Sequence, residues 1–124
     1  FDGELALSKL QQYFAEENIG NALMEKSVFV GMGDLIRTEA LYRAKIHPES
    51  LVNNIPEKKL IFLIISAVNF ADELVEHFKN DEVNSKALIF EKKMCPKDKS
   101  EIQIAISTET NRKIYICPKC QKLF

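Results

Sequence analysis

Val30-Gly31-Met32-Gly33-Asp34-Leu35-Ile36-Arg37-Thr38-Glu39-Ala40-Leu41-Tyr42-Arg43-Ala44-Lys45-Ile46-His47-Pro48 is the stretch on which the reading of this chain turns. A Gly-x-Gly turn opens a helix over Asp34 to Lys45, and His47-Pro48 stops it. Ile36, Ala40, Leu41 and Ala44 form its buried stripe, and Arg37 and Arg43 face outward. Backbone N–H groups at a helix start attract anions, and Gly31 and Gly33, free to take positive φ, let a phosphate come close. The plainer alternative is a tight interhelical turn with no ligand. Asp34 reads as the N-cap of the helix, because a carboxylate repels phosphate but caps well. His47 reads as a helix-stop residue, having no neighbouring acid or nucleophile.

Outward from this stretch, Leu7, Leu10 and Phe14 fall at helical spacing in a first helix over Glu4 to Glu17, ended by Asn18 and Gly20. A short second helix covers Asn21 to Lys26, with Leu23 and Met24 inward. Pro56 restarts the chain into the longest helix, Glu57 to about Asn80. Its inward face is Leu60, Leu63, Ile64, Ala67, Val68, Ala71, Leu74, Val75 and Phe78. Asn80 to Asn84 is a polar break. The period then changes to two: Ile102, Ile104 and Ile106 alternate with Gln103 and Ala105, and Ile114 and Ile116 with Lys113 and Tyr115. Thr108 to Asn111 supplies the turn of a β-hairpin. The expected fold is mainly α: a small helical bundle over 1–82, a linker over 83–93, and a hairpin module over 94–124.

The 124 residues, 46% hydrophobic, suffice for one modest domain or two very small ones. The longest apolar run, Leu60 to Phe70, is interrupted by Ser66 and Asn69 and is too short to span a bilayer, so no membrane association is expected. The overall charge of −1 conceals an asymmetry. Residues 1–90 hold 9 Lys/Arg against 14 Asp/Glu, a net of −5; residues 91–124 hold 8 against 4, a net of +4. A basic tail on an acidic body suits a polyanionic partner, although a solvated terminus has the same composition. Arg112 and Lys113 sit where the hairpin turn meets the returning strand. There they can reach phosphates or protect a strand edge from aggregation.

The three cysteines all lie in the last 30 residues, in the pattern Cys95-x2-Asp98-x18-Cys117-x2-Cys120. An odd, clustered set favours a metal or free thiols over a disulfide framework, and so a reducing, intracellular setting in the nucleus or cytoplasm. Three readings stay open: zinc held by the three thiolates with Asp98 or another group as fourth ligand, a finger without metal, and a redox Cys-x-x-Cys. No phosphate loop, nucleophile elbow or paired-carboxylate arrangement is present.

With these residues in view, the chain resembles the formamidopyrimidine-DNA glycosylase and endonuclease VIII family, in its endonuclease VIII-like branch. Gly31, Gly33, Glu39 to Ala44 and Ile46-His47-Pro48 match that family's helix–two-turn–helix motif. Arg112, Cys117, Cys120 and Gln121 match the spacing of its C-terminal zinc finger. The resemblance implies a DNA contact through Gly31, Met32, Gly33 and Arg112, with Asp34 and Lys113 added to the expected DNA-binding set by their positions beside these, and a zinc or zincless finger built on Cys95, Asp98, Cys117 and Cys120. Two positions depart from the family pattern. Asp34 replaces an Asn, and Asp98-Lys99 stand where relatives have a Cys or nearby His. The family's nucleophile is an N-terminal amine followed by a glutamate, and Phe1-Asp2-Gly3-Glu4 is unlike it. The expectation is therefore the DNA-binding C-terminal half of a base-excision glycosylase/AP lyase acting on oxidised bases. It would be monomeric, bind damaged double- or single-stranded DNA, carry no catalytic residue of its own and be inactive alone. The alternatives are a non-enzymatic nucleic-acid-binding module with a zinc-ribbon-like hairpin, and a protein-interaction domain.

Overall fold

The computed structural model describes residues 2–29, 31–78, 87–106 and 112–124, with the backbone alone for 76–78. Its elements are α1 (Gly3–Tyr13), α2 (Ile19–Ala22), α3 (Asp34–Ala44), a 3-10 turn (Val52–Asn54), α4 (Glu57–Phe78), β1 (Gln103–Ile106) and β2 (Lys113–Ile116). The polar break at Asn80 to Asn84, the turn at Thr108 to Asn111 and the side chain of Phe78 lie outside the described residues, as does most of the first half of the expected linker.

Asp2 caps α1, its carboxylate accepting from Leu5 N–H at 3.1 Å. The helix ends at Tyr13, four residues short of the expected Glu17. The carbonyls of Ala15 and Glu17 are instead taken by the N–H groups of Asn53 and Val52. Asn18, expected to end a helix, begins one: its side chain accepts from Asn21 N–H at 2.8 Å and starts α2 at Ile19 rather than Asn21. α3 stops where Lys45 turns left-handed at φ 61°. The Lys59 ammonium, from α4, donates to the Ala44 carbonyl at this end.

The core lies between α1, α3 and α4, around Leu10, Leu23, Leu41, Leu60 and Leu63, all essentially inaccessible. On α4 the buried face is Leu60, Leu63, Ile64, Ala67, Phe70 and Leu74. Phe70 is the residue periodicity did not select, whereas Val75 is 57% exposed and Val68 and Ala71 are half-buried. Ile114 and Ile116 join this same core, with Ala105 packed against it. β1 and β2 pair antiparallel, Gln103 opposite Ile116 and Ala105 opposite Ile114, so β1 turns Ala105 inward and leaves Ile104 and Ile106 more than half exposed.

Two expectations about α3 are corrected. Arg37 does not face outward: it is 4% exposed, its guanidinium donating to the Gly20 carbonyl at 3.1 Å and to Asp34 at 2.9 Å. Arg43 lies across the α3–α4 seam, 4.4 Å above the Phe70 ring and beside Glu73 and Glu39. Glu39 is fully buried and accepts the backbone N–H groups of Leu88, Ile89 and Phe90 at 2.7, 2.9 and 3.0 Å. It thereby ties the approach to the hairpin onto α3. Among the described residues no helix is long and apolar enough to cross a membrane.

Candidate nucleic-acid interface and metal centre

The glycine turn and the hairpin meet at the start of α3. Gly31 is exposed and has φ +83°, a conformation that strains any residue with a Cβ. Gly33 does not share it. With φ −116° and ψ 177° it is extended, and it occupies the N-cap position expected for Asp34. Met32 between them is half-buried against the core and fixes the turn to the body. With glycine as the cap, no side chain caps the first turn of α3 through that position. Asp34 is the first helical residue, and its Oδ1 accepts from Arg37 at 2.9 Å and stands 3.5 Å from the Arg112 guanidinium.

Arg112 thus arrives from the hairpin, 78 positions along the chain, at the edge of the glycine turn. Lys113 follows as the exposed first residue of β2. Beside this pair runs an open pocket of about 300 Å³, lined in part by Asn18, Asn21, Arg37, Pro48, Arg112 and Ile114. Gly20 makes its floor possible. A Cβ there would lie 2.9 Å from Pro48 Cβ, so only glycine lets α2 approach the His47-Pro48 corner. Burial pushes the Arg37 guanidinium down, with Asp34 opposing and Arg112 adding to the shift. The contacts of Gly20 with Pro48, of Arg37 with the Gly20 carbonyl and of Glu39 with residues 88–90 were not legible in the sequence, because those partners are remote in the chain.

The four residues of the cysteine pattern also converge. One ligand atom from each of Cys95, Asp98, Cys117 and Cys120 lies within 4.8 Å of every other. Cys95 Sγ is 3.7 Å from Cys120 Sγ, and the Asp98 carboxylate is 3.3 Å from Cys120 Sγ and 3.7 Å from Cys117 Sγ. Zinc–sulfur bonds of about 2.3 Å in a tetrahedron put sulfurs about 3.8 Å apart, so the spacing and the donor set fit zinc. Two tight turns present the ligands. Lys99 N–H donates to the Cys95 carbonyl, with Lys99 left-handed at φ 61°, and Gln121 N–H donates to the Cys117 carbonyl. Ser100 N–H holds Asp98 at 2.8 Å, and Ser100, through its side chain and then its backbone, keeps the Asp98 carboxyl well below the usual range.

The centre is wired to the helical body. The Tyr42 hydroxyl from α3 lies 3.1 Å from Cys95 Sγ. Burial pushes the Cys95 thiol up, but hydrogen bonds from Tyr42 and from the backbone of Asp98 and Lys97 outweigh it and leave the thiol below its ordinary value. Burial and then the Asp98 hydrogen bond push Cys120 up to about 12. Gln121, 3% exposed, accepts from Cys117 N–H at 2.8 Å and donates to the Ile46 carbonyl at 2.9 Å. His47 is part of the same seam, its N–H donating to the Lys122 carbonyl, so it joins the C-terminal segment to the body as well as following the helix.

Comparison with known proteins agrees with this architecture. A family model described as the formamidopyrimidine-DNA glycosylase H2TH domain matches residues 1–85. Mouse endonuclease 8-like 2 is 31% identical over 102 residues, covering 80% of this chain and 30% of its own length. The formamidopyrimidine-DNA glycosylase of Bacillus licheniformis is 28% identical over 136 residues, covering 98% of this chain and 50% of that protein. Among solved structures, a viral DNA glycosylase superposes with a TM-score of 0.84 at 30% identity, over 98% of this chain and 47% of that one. Lactococcus lactis formamidopyrimidine-DNA glycosylase bound non-covalently to AP-site DNA gives 0.86 at 25% identity, over 98% and 46%. The chain spans half or less of the length of these relatives.

Proposed function

Because this chain belongs to the formamidopyrimidine-DNA glycosylase H2TH family, we propose that it is the DNA-gripping part of a base-excision glycosylase/AP lyase that acts on oxidised bases. The observation that carries the reading is the meeting of Arg112 with the glycine turn. A guanidinium that can take a phosphate bidentately stands 3.5 Å from Asp34, at the N-terminus of the 11-residue helix that the turn at Gly31 to Gly33 opens. Gly31, Met32 and Gly33 would offer backbone, Arg112 and Lys113 charge, with Asp34 between them. A base inside a duplex is out of reach of chemistry, so such an enzyme must hold the strand firmly on both sides of an extruded nucleotide. Contacts set on a rigid helix and a core-packed hairpin suit that task. The proposed partner is damaged double- or single-stranded DNA, met by a monomer. By itself the chain would bind without cutting.

Zinc would be held by Cys95, Asp98, Cys117 and Cys120. Its chemistry there would be that of a closed structural cross-link. The residues around it do the rest: Tyr42 orients Cys95, Ser100 orients Asp98, and Gln121 ties Cys117 to the corner after α3. The finger would thus keep β2, and with it Arg112, at the start of α3.

The reading is tested by amide chemical-shift mapping during titration with a short duplex containing a stable abasic analogue. Shifts should concentrate at 31–36 and 112–113. Shifts confined to the α1–α4 face around Leu5 and Ile61, or a stronger response to RNA, would overturn it.

A further inference from the structure

Asp34 is the residue that a phosphate-gripping surface least explains. Its carboxylate is neither a cap nor solvated alone. Two guanidiniums share one of its oxygens, and the two differ in kind. Arg37 is closer, at 2.9 Å, with a side chain 5% exposed and a second anchor on the Gly20 carbonyl. Arg112 is farther, at 3.5 Å, with a side chain 47% exposed. Arg37 is a fixed partner and Arg112 a detachable one.

We propose that Asp34 is an internal anion that engages Arg112 in the free protein and yields it to a DNA phosphodiester, so that this residue sets the strength of the grip. The proposal rests on the DNA-binding reading above. The physical argument is one of competition. Guanidinium N–H groups bind carboxylate and phosphate through the same fork, so the Asp34 carboxylate, 3.5 Å away, and a phosphate compete for Arg112. Releasing Arg112 does not strand a charge, because Arg37 stays on Asp34 and compensates it. The exchange is therefore cheap. What remains after it is a carboxylate near the phosphate, which weakens binding at every step. An uncharged side chain of the same shape would remove both the competition and the repulsion.

The test is a set of four proteins, wild type, Asp34→Asn, Arg112→Ala and the double variant, titrated by fluorescence anisotropy against an abasic-analogue duplex over a salt series. Asp34→Asn should bind about three- to tenfold tighter. Its log–log salt slope should change little, because Arg112 reaches the phosphate in both complexes. The gain should vanish in the Arg112→Ala background. A gain that persists there would mean a general charge effect and overturn the proposal. Asp34→Asn binding no tighter than wild type while Arg112→Ala binds more weakly would overturn it too, and leave the DNA-binding reading in place. If Arg112→Ala binds as wild type does, or nothing binds, the DNA-binding reading fails first. In the wild-type chain, independent of any variant's folding, the Arg112 Nε–H resonance should move on adding duplex and that of Arg37 should stay. Movement of Arg37 with Arg112 unchanged would contradict the assignment of fixed and detachable partners.

Discussion

At the scale of single residues, the buried charges on α3 organise the structure. Glu39 is inaccessible to solvent and satisfies three successive N–H groups at 88–90. Removing it leaves those donors unpaired and frees the segment that leads to the hairpin. Glu39→Ala should cost about 3 kcal/mol, read as a fall in the midpoint of urea unfolding at unchanged slope. Glu39→Gln should lose less, since one oxygen still accepts. Equal stability of Glu39→Ala and wild type would show that the tether is not a stabilising one. A helical pattern marks a glutamate at this position as polar and hence outward. Only a partner 49 residues away reverses that, and no local period reports it. Arg37 is misread for the same reason: its burial is made possible by a carbonyl on α2 and a carboxylate one turn back.

At the scale of elements, the hairpin and the cysteine turns beside it are the part with the least packing of its own. The hairpin has four residues per strand and one inward face, too little to stand alone. It is held by the core on one side and by the Cys95, Asp98, Cys117 and Cys120 cluster on the other. Zinc bound there should raise the thermal midpoint, and a chelator should lower it. Uptake should release protons, Cys120 being a thiol whose pKa is pushed up to about 12, so that zinc affinity falls as pH is lowered. Asp98 is already held ionised and should contribute no proton. Titration in two buffers of different ionisation enthalpy measures the count. Asp98→Ala should weaken zinc by at least about tenfold and Asp98→Cys should tighten it. A chain that binds no zinc would instead be a zincless finger held by its hydrogen bonds. The cysteine spacing revealed the cluster from sequence, because each pair lies on one tight turn. The wiring to Tyr42 and Gln121 was hidden, because it crosses from one element to another.

At the scale of the whole molecule, the helices and the hairpin were legible wherever a period repeats: α3 from its glycine turn and Pro48, α4 from its apolar stripe, β2 from its alternating isoleucines. Boundaries failed where long-range backbone bonds decide them, as after Tyr13, and where a side-chain cap starts a new helix, as at Asn18, and β1 hides its small residue inward while exposing two isoleucines. The sequence also marked Arg112 and the glycine turn as separate features. Only the fold shows that they share one edge, and that the division of charge along the chain brings the basic hairpin back against the acidic Asp34. The central claim is that this edge grips a DNA backbone. It is most directly tested by the affinity of the 124-residue chain for an abasic-analogue duplex and an undamaged duplex across a salt series, with Arg112→Ala alongside. The account predicts tighter binding to the abasic duplex, a steep loss with salt, and a weaker, shallower curve for Arg112→Ala, its slope smaller by about one. Binding that ignores salt, or that Arg112→Ala leaves unchanged, would contradict it.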